Sequence, residues 1–124
     1  MSKENKRPKA VMDANEYQRL AMRTAPYGIF DNYMDAIDNA ALGLCGEAGE
    51  FADLVKKHIY QNHQLERDHM GKELGDVLWY ISMAATALGY DMEELMEMNI
   101  EKLQKRYPNG FEAERSQNRE EGDI

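Results

Sequence analysis

Cysteine is almost missing from this chain. Cys45 is the single thiol, so no disulfide can close within the chain, and a small disulfide-stapled scaffold is excluded. That usage fits a cytoplasmic protein. Proline is scarce too. Pro8, Pro26 and Pro108 are the only ones, and each falls where helical patterning begins or stops. No apolar run approaches the roughly 18 residues needed to cross a bilayer. The opening stretch MSKENKRPKA is basic but no apolar run follows it, so it does not read as a secretory signal, and no membrane partner is expected. Sustained two-residue alternation of β-branched residues is absent, which argues against strands. Positive charge is also in deficit. With 15 Lys and Arg against 23 Asp and Glu, the formal net charge is -8. A nucleic-acid polymer usually needs a basic stripe, so it is not the expected partner. A small polyphosphate remains compatible if divalent metal neutralises both sides.

What remains is rich in Ala, Leu, Met, Glu, Lys and Gln, the helix formers. The 124 residues are 43% hydrophobic and 31% charged, which suits one folded domain with one core. At this size, pairing with a second copy would help bury surface. Periodicity predicts four helices. The first spans Asp13 to about Thr24, with Asp13 and Glu16 spaced as a capping pair and Pro26 after its end. A long second helix covers about Met34 to Tyr60, with Ile37, Ala40, Ala41, Leu44, Ala48, Phe51 and Val55 at helical spacing. The third covers about Asp68 to Leu88, directing Leu74, Val77, Leu78, Ile81 and Ala85 to the core and stopping at Gly89. The fourth is capped by Asp91 with Glu94 and stops at Pro108. The expectation is an all-α antiparallel bundle of about four helices. Residues 1–10 read as a flexible basic N-terminus, 11–111 as the folded domain, and 112–124 as a polar tail without structure.

Two carboxylate pairs stand out, Glu47-Ala-Gly-Glu50 and Glu73-Leu-Gly-Asp76. Residues three apart on a helix lie about 60° apart around its axis, so each pair can aim two carboxylates at one place. A short connector favours antiparallel packing of the second and third helices, which lets the two acidic edges converge. Four converging carboxylates repel one another, and a hard divalent cation resolves that repulsion. Oxygen-only ligands suit Mg²⁺ or Mn²⁺. Gly46, Gly49 and Gly75 lie beside the acids, although glycine costs about 1 kcal/mol in a helix interior relative to alanine. Close helix approach, or room for a ligand, would offset that cost. From the residues alone, two solvated acidic faces account for the same pattern equally well.

Three separated segments carry a resemblance. They are Gly43-Leu-Cys-Gly-Glu-Ala-Gly-Glu-Phe-Ala-Asp-Leu-Val-Lys-Lys57, Lys72-Glu-Leu-Gly-Asp-Val-Leu-Trp-Tyr80 and Asn99-Ile-Glu-Lys-Leu-Gln-Lys-Arg-Tyr-Pro108. In sequence and order they resemble the MazG family of all-α NTP pyrophosphohydrolases, whose hallmark is E-x-x-E followed by E-x-x-D. The resemblance covers about Asn15 to Phe111. It implies that Glu47, Glu50, Glu73 and Asp76 bind Mg²⁺. It also implies cleavage between the α- and β-phosphates, giving a nucleoside monophosphate and pyrophosphate. A bound metal would neutralise phosphate oxygens and acidify a water. Glu47 or Glu50 would orient or deprotonate that water, and spacing does not choose between them. A nucleotide-pool cleaning role follows, in a homodimer or tetramer. A dCTP/dUTP-type enzyme or a phosphoribosyl-ATP pyrophosphohydrolase would share the same metal site. A non-catalytic helical oligomer acting as an interaction module is the alternative of another class.

Asn99, Lys102 and Arg106 line one face of the fourth helix. They read either as an exposed helix end favouring its dipole or as a grip on the β- and γ-phosphates. The resemblance to N-x-x-K-L-x-x-R-Y-P favours the grip. Lys57, two turns beyond Glu50, is a second phosphate candidate. Tyr80, on the acidic side of the third helix, and Trp79, on the other flank of Asp76, could stack on a base or serve as packing aromatics. Tyr17 and Gln18 are candidates to close a base pocket. Glu66-Arg-Asp-His69 is one E-x-x-H, whereas a ferritin-like di-iron site needs two. Cys45 reads as a small packing residue.

Overall fold

A computed structural model describes residues 12–124, and the N-terminal stretch 1–10 lies outside the described residues. Five helices follow in order: α1 (Ala14–Ala21), α2 (Tyr33–Gln61), α3 (Arg67–Leu88), α4 (Met92–Arg106) and α5 (Ala113–Gln117). Short 3-10 turns at Met22–Thr24 and Ile29–Asp31 lie between α1 and α2. Among the described residues there is no strand, only an isolated bridge from Pro108 to Gly110. None of these helices is long and apolar enough to cross a membrane.

The helix ends follow local chemistry. The Asp13 carboxylate accepts from the Glu16 N–H at 2.8 Å. Glu16 does not reach back to complete a capping box; its carboxylate instead pairs with Arg19. At α4 the box is complete, with Asp91 and Glu94 each accepting from the other's backbone N–H at 2.8 Å. Asn32 caps α2 by accepting from the Asp35 N–H at 3.0 Å. Gly89 ends α3 at φ 84°, a left-handed turn that a Cβ would strain.

The principal packing is α2 against α3. Gly43 meets Tyr80, and Glu47 meets Glu73 and Asp76, so the two helices run antiparallel. A short connector, residues 62–66, joins them. It turns at Asn62, whose φ is 60°. Gly43 is where the helices come closest, because a Cβ built there would overlap the Tyr80 ring. Gly46, Gly49 and Gly75 face open space instead. Helix contact within this chain therefore does not explain those three glycines.

α1 braces the corner between α3 and α4. The Gln18 amide donates to Thr86 Oγ1 at 2.9 Å and to the Tyr90 carbonyl at 3.1 Å, and its oxygen accepts from the Met92 N–H at 2.8 Å. Asn15 accepts from the Glu93 N–H at 3.0 Å. The Trp79 indole donates to the Ala21 carbonyl at 3.0 Å and to Thr24 Oγ1 at 2.9 Å, tying α3 to the end of α1. The fully enclosed apolar set is small: Ala36, Ala40, Met83, Ala85 and Met92. Several residues expected in the core are not enclosed. Ala41 and Ala48 are exposed, and Leu74 and Leu78 keep 52% and 40% of their surface.

The segment after Phe111, expected as an unstructured tail, contains α5 and folds back on α4. Arg115 Nε donates to the Arg106 carbonyl at 2.9 Å, and the Arg106 guanidinium pairs with Asp123. Polar composition suggested a loose end; ion pairs to α4 supply the contacts that apolar side chains do not.

Substitution of Gly43 separates close approach from helix propensity. G43A is expected to lower thermal stability by up to about 2 kcal/mol, because overpacking outweighs the gain in helix propensity. G49A, which meets nothing within 4 Å, is expected to leave stability unchanged or raise it. Thermal denaturation of the two variants beside the wild type checks this contrast.

Candidate metal centre

The antiparallel α2–α3 contact places the acids. Glu47 lies one turn beyond Gly43 on α2, and Glu73 and Asp76 sit one turn apart on α3 facing it. Each of the three offers a carboxylate oxygen, and these atoms all lie within 4.8 Å of one another. Glu47 and Glu73 are half-buried and Asp76 is exposed. Glu50 is exposed and lies outside this tight group, although its charge acts on Glu47.

Electrostatics record the crowding. Loss of hydration pushes the Glu47 carboxyl above its ordinary value, and the charges of Asp76, Glu73 and Glu50 push it further in the same direction. A protonated Glu47 also donates to Glu73, which raises it again. Glu73 keeps only 17% of its side-chain surface. Its Oε2 is buried without a hydrogen-bond partner. A buried carboxylate oxygen without a donor is costly. A divalent cation would meet that oxygen and relieve the repulsion, and hard oxygen donors fit Mg²⁺ or Mn²⁺. The donor set present therefore fits a divalent metal.

An open cleft of about 900 Å³ adjoins the acids. Arg67, His69 and Lys72 line it together with Glu73 and Asp76. His69 Nε2 lies 3.6 Å from Glu73 Oε1. Arg67 and Lys72 were not among the sequence candidates, and His69 was considered only as part of an E-x-x-H motif. Their signal was available, since Lys72 and His69 fall one position before and four before Glu73 on the same helix. Tyr17 of α1 also approaches. Burial raises its phenol above the usual range, and the Asp76 charge adds to that shift.

The remaining candidates lie elsewhere. Lys57 pairs with Asp53 at 2.9 Å, and the same hydrogen bond holds its ammonium pKa up, with help from the Asp53 and Glu50 charges. The Tyr80 ring lies over the Gly43 backbone and meets Trp79 edge-on at a centroid distance of 4.9 Å. The Trp79 nitrogen is already occupied by α1 partners, and the Gln18 amide by the α3–α4 corner. Asn99 and Lys102 are exposed on α4, and Arg106 is held by Asp123. None of the three lines the acidic cleft. Lys102 and Arg106 border a separate, more enclosed cavity.

A raised Glu47 pKa means that the folded chain binds more protons than the unfolded chain between the ordinary glutamate value of 4.5 and the raised one. Stability contributed at this site is therefore lost as pH rises through that window. In chelator, E47Q is expected to melt above the wild type at neutral pH, with the gap closing as pH falls to about 4. Added Mg²⁺ should stabilise the wild type more than the variant. Melting curves across pH, with and without cation, provide the check.

The MazG nucleotide pyrophosphohydrolase domain matches residues 36–111. The chain is 36% identical over 105 residues to the Gene 37 protein of Mycobacterium phage L5, a match covering 80% of this chain and 92% of the phage protein. No solved structure matches. The matched region contains both carboxylate pairs, the α2–α3 contact and the basic face of α4, and this chain belongs to the MazG nucleotide pyrophosphohydrolase family.

Proposed function

We propose that this protein hydrolyses nucleoside triphosphates, including deoxynucleotides, to the nucleoside monophosphate and pyrophosphate in a Mg²⁺-dependent reaction, and that it serves to clean the nucleotide pool. The observation that carries this reading is the convergence of Glu47, Glu73 and Asp76 around a buried, unpartnered Glu73 oxygen. Family membership supplies the class of reaction.

Glu47, Glu50, Glu73 and Asp76 hold the cation. Bound Mg²⁺ supplies neutralisation of the phosphate oxygens and a more acidic water. Water oxygen forms a bond to phosphorus, the bridging P–O bond between the α- and β-phosphates breaks, and pyrophosphate departs with the bridging charge. A carboxylate of the α2 pair, Glu47 or Glu50, orients the water and takes its proton. Lys57, Asn99, Lys102 and Arg106 supply donors to the β- and γ-phosphates, where fixed positive charge matters most. Tyr80 contributes an aromatic edge to nucleoside binding.

Those α4 donors do not line the cleft of their own chain. A homo-oligomer, either a dimer or a tetramer made from dimers, resolves this by setting the α4 of one copy beside the acids of another. Exposed apolar side chains support it: Leu42 keeps 76% of its surface, and Leu74, Met96, Met98 and Ile100 about half of theirs. Large exposed apolar patches on soluble proteins mark interaction surfaces. Sedimentation equilibrium should therefore return a mass of at least two chains, and a monomer at micromolar concentration would remove this part of the reading.

A nucleotide panel with Mg²⁺ and product identification tests the activity. Pyrophosphate and monophosphate are expected, and release of inorganic phosphate instead would exclude the proposed bond. E50Q and D76N should each reduce turnover by about 100-fold or more while the helical circular-dichroism signal persists. Wild-type rates in both variants would sink the assignment, as would turnover that ignores chelator.

A further inference from the structure

The half-open cavity between α4 and the C-terminal segment is built around an ion pair. Arg106 donates through Nε to one Asp123 oxygen at 2.9 Å and through its terminal nitrogen to the other at 2.7 Å. This is a two-point clasp, the same arrangement that arginine uses for phosphate. Both side chains are largely covered, at 10% and 19% exposure. The clasp is presented by local structure. Asp123 closes a turn in which its N–H donates to the Glu120 carbonyl at 3.1 Å. Gly122 supplies the φ of 89° that this turn requires. A second tie, Arg115 Nε to the Arg106 carbonyl, holds α5 to the same end of α4. The cavity measures about 470 Å³. Lys102, Lys105, Arg106, Arg115 and Arg119 line it. The acids facing them include Glu120, Glu121 and Asp123, all on the returning segment.

We propose that this segment is an intramolecular competitor for the phosphate chain of the substrate, with Asp123 occupying Arg106 in the place a phosphate group would take. The inference rests on the reading above that α4 donors contact the triphosphate. Anion binding at Arg106 then requires the clasp to open, and apparent affinity falls by the fraction of chains in which it is closed. The segment gates the basic face of α4 and leaves the acidic centre untouched, because Asp123 does not line the acidic cleft.

The test uses the full chain and inorganic pyrophosphate as probe, titrated calorimetrically in Mg²⁺, with KM for a deoxynucleoside triphosphate measured in parallel. D123A is expected to tighten pyrophosphate binding and lower KM by about three- to tenfold. D123N, which keeps the shape and loses the charge, should fall between. In an R106A background the same D123A change should have almost no effect. Equal or weaker pyrophosphate binding in D123A and D123N, with melting temperatures unchanged, would overturn the proposal, as would a D123A effect that survives R106A. If D123A alone lowers the melting temperature, D123N decides on the same scale. Absence of pyrophosphate release by the wild type would remove the hydrolase reading, yet the calorimetric difference between Asp123 variants would still decide the clasp. No binding heat in any variant overturns it.

Discussion

Setting Glu47, Glu73 and Asp76 within 4.8 Å of one another places like charges together where one carboxylate oxygen has lost water and gained no donor. Left alone, such a cluster pushes α2 and α3 apart, because each added charge raises the energy of the next. The helices nevertheless meet there. Four residues before Glu47, Gly43 lets the Tyr80 ring lie on the α2 backbone, and Trp79 ties α3 to α1 on its other flank. Close packing beside the acids thus holds them at a separation they would not adopt freely. Glu47 answers by retaining its proton more strongly. A cation among the three carboxylates would offset that repulsion by attracting each of them.

The same economy governs the rest of the chain. Among the described residues the enclosed apolar core is five small or flexible side chains, and much of the α1 contact with the α3–α4 corner is polar. Gln18 satisfies backbone groups at the α3–α4 corner that a helix end would otherwise leave open. Such contacts fix geometry but bury little oil. The leucines and methionines left outside on α2, α3 and α4 are then surface that a second copy is suited to cover.

Helices and their ends were legible because their causes are local. Asp91 with Glu94, Gly89 and Asp13 each act within a few residues, and the helical periods of α2 and α3 needed only composition. Of the four carboxylates that three-residue spacing on antiparallel neighbours was expected to gather, Glu47, Glu73 and Asp76 come together and Glu50 stays exposed outside them, because spacing fixes a helix face but not the reach to the partner helix. What the sequence hid depends on contacts far along the chain. Gln18 and Trp79 find partners 55 to 74 residues away, and no periodicity announces an amide or indole as a brace. Glycine spacing likewise failed to separate Gly43, pressed by a ring, from Gly46 and Gly49, which face open space. The fold-back of residues 112–124 is invisible in the sequence because ion pairs, unlike apolar stripes, carry no period.

Two charge systems remain distinct on this molecule. The acids of α2 and α3 form one, and the cations of α4 form the other. Crowding by Asp76, Glu73 and Glu50 raises the proton affinity of Glu47, and Arg106 is held by Asp123. A free anion would serve the second and worsen the first; a free cation would do the reverse. A triphosphate carrying Mg²⁺ presents both signs a few ångströms apart, so it can satisfy both systems at once if α4 of one copy meets the acids of another. Neither half would then bind as well alone, because binding one leaves the other's charge uncompensated. On this logic the net negative charge of the chain favours selectivity: it discourages bare polyanions and admits those that bring their own cation.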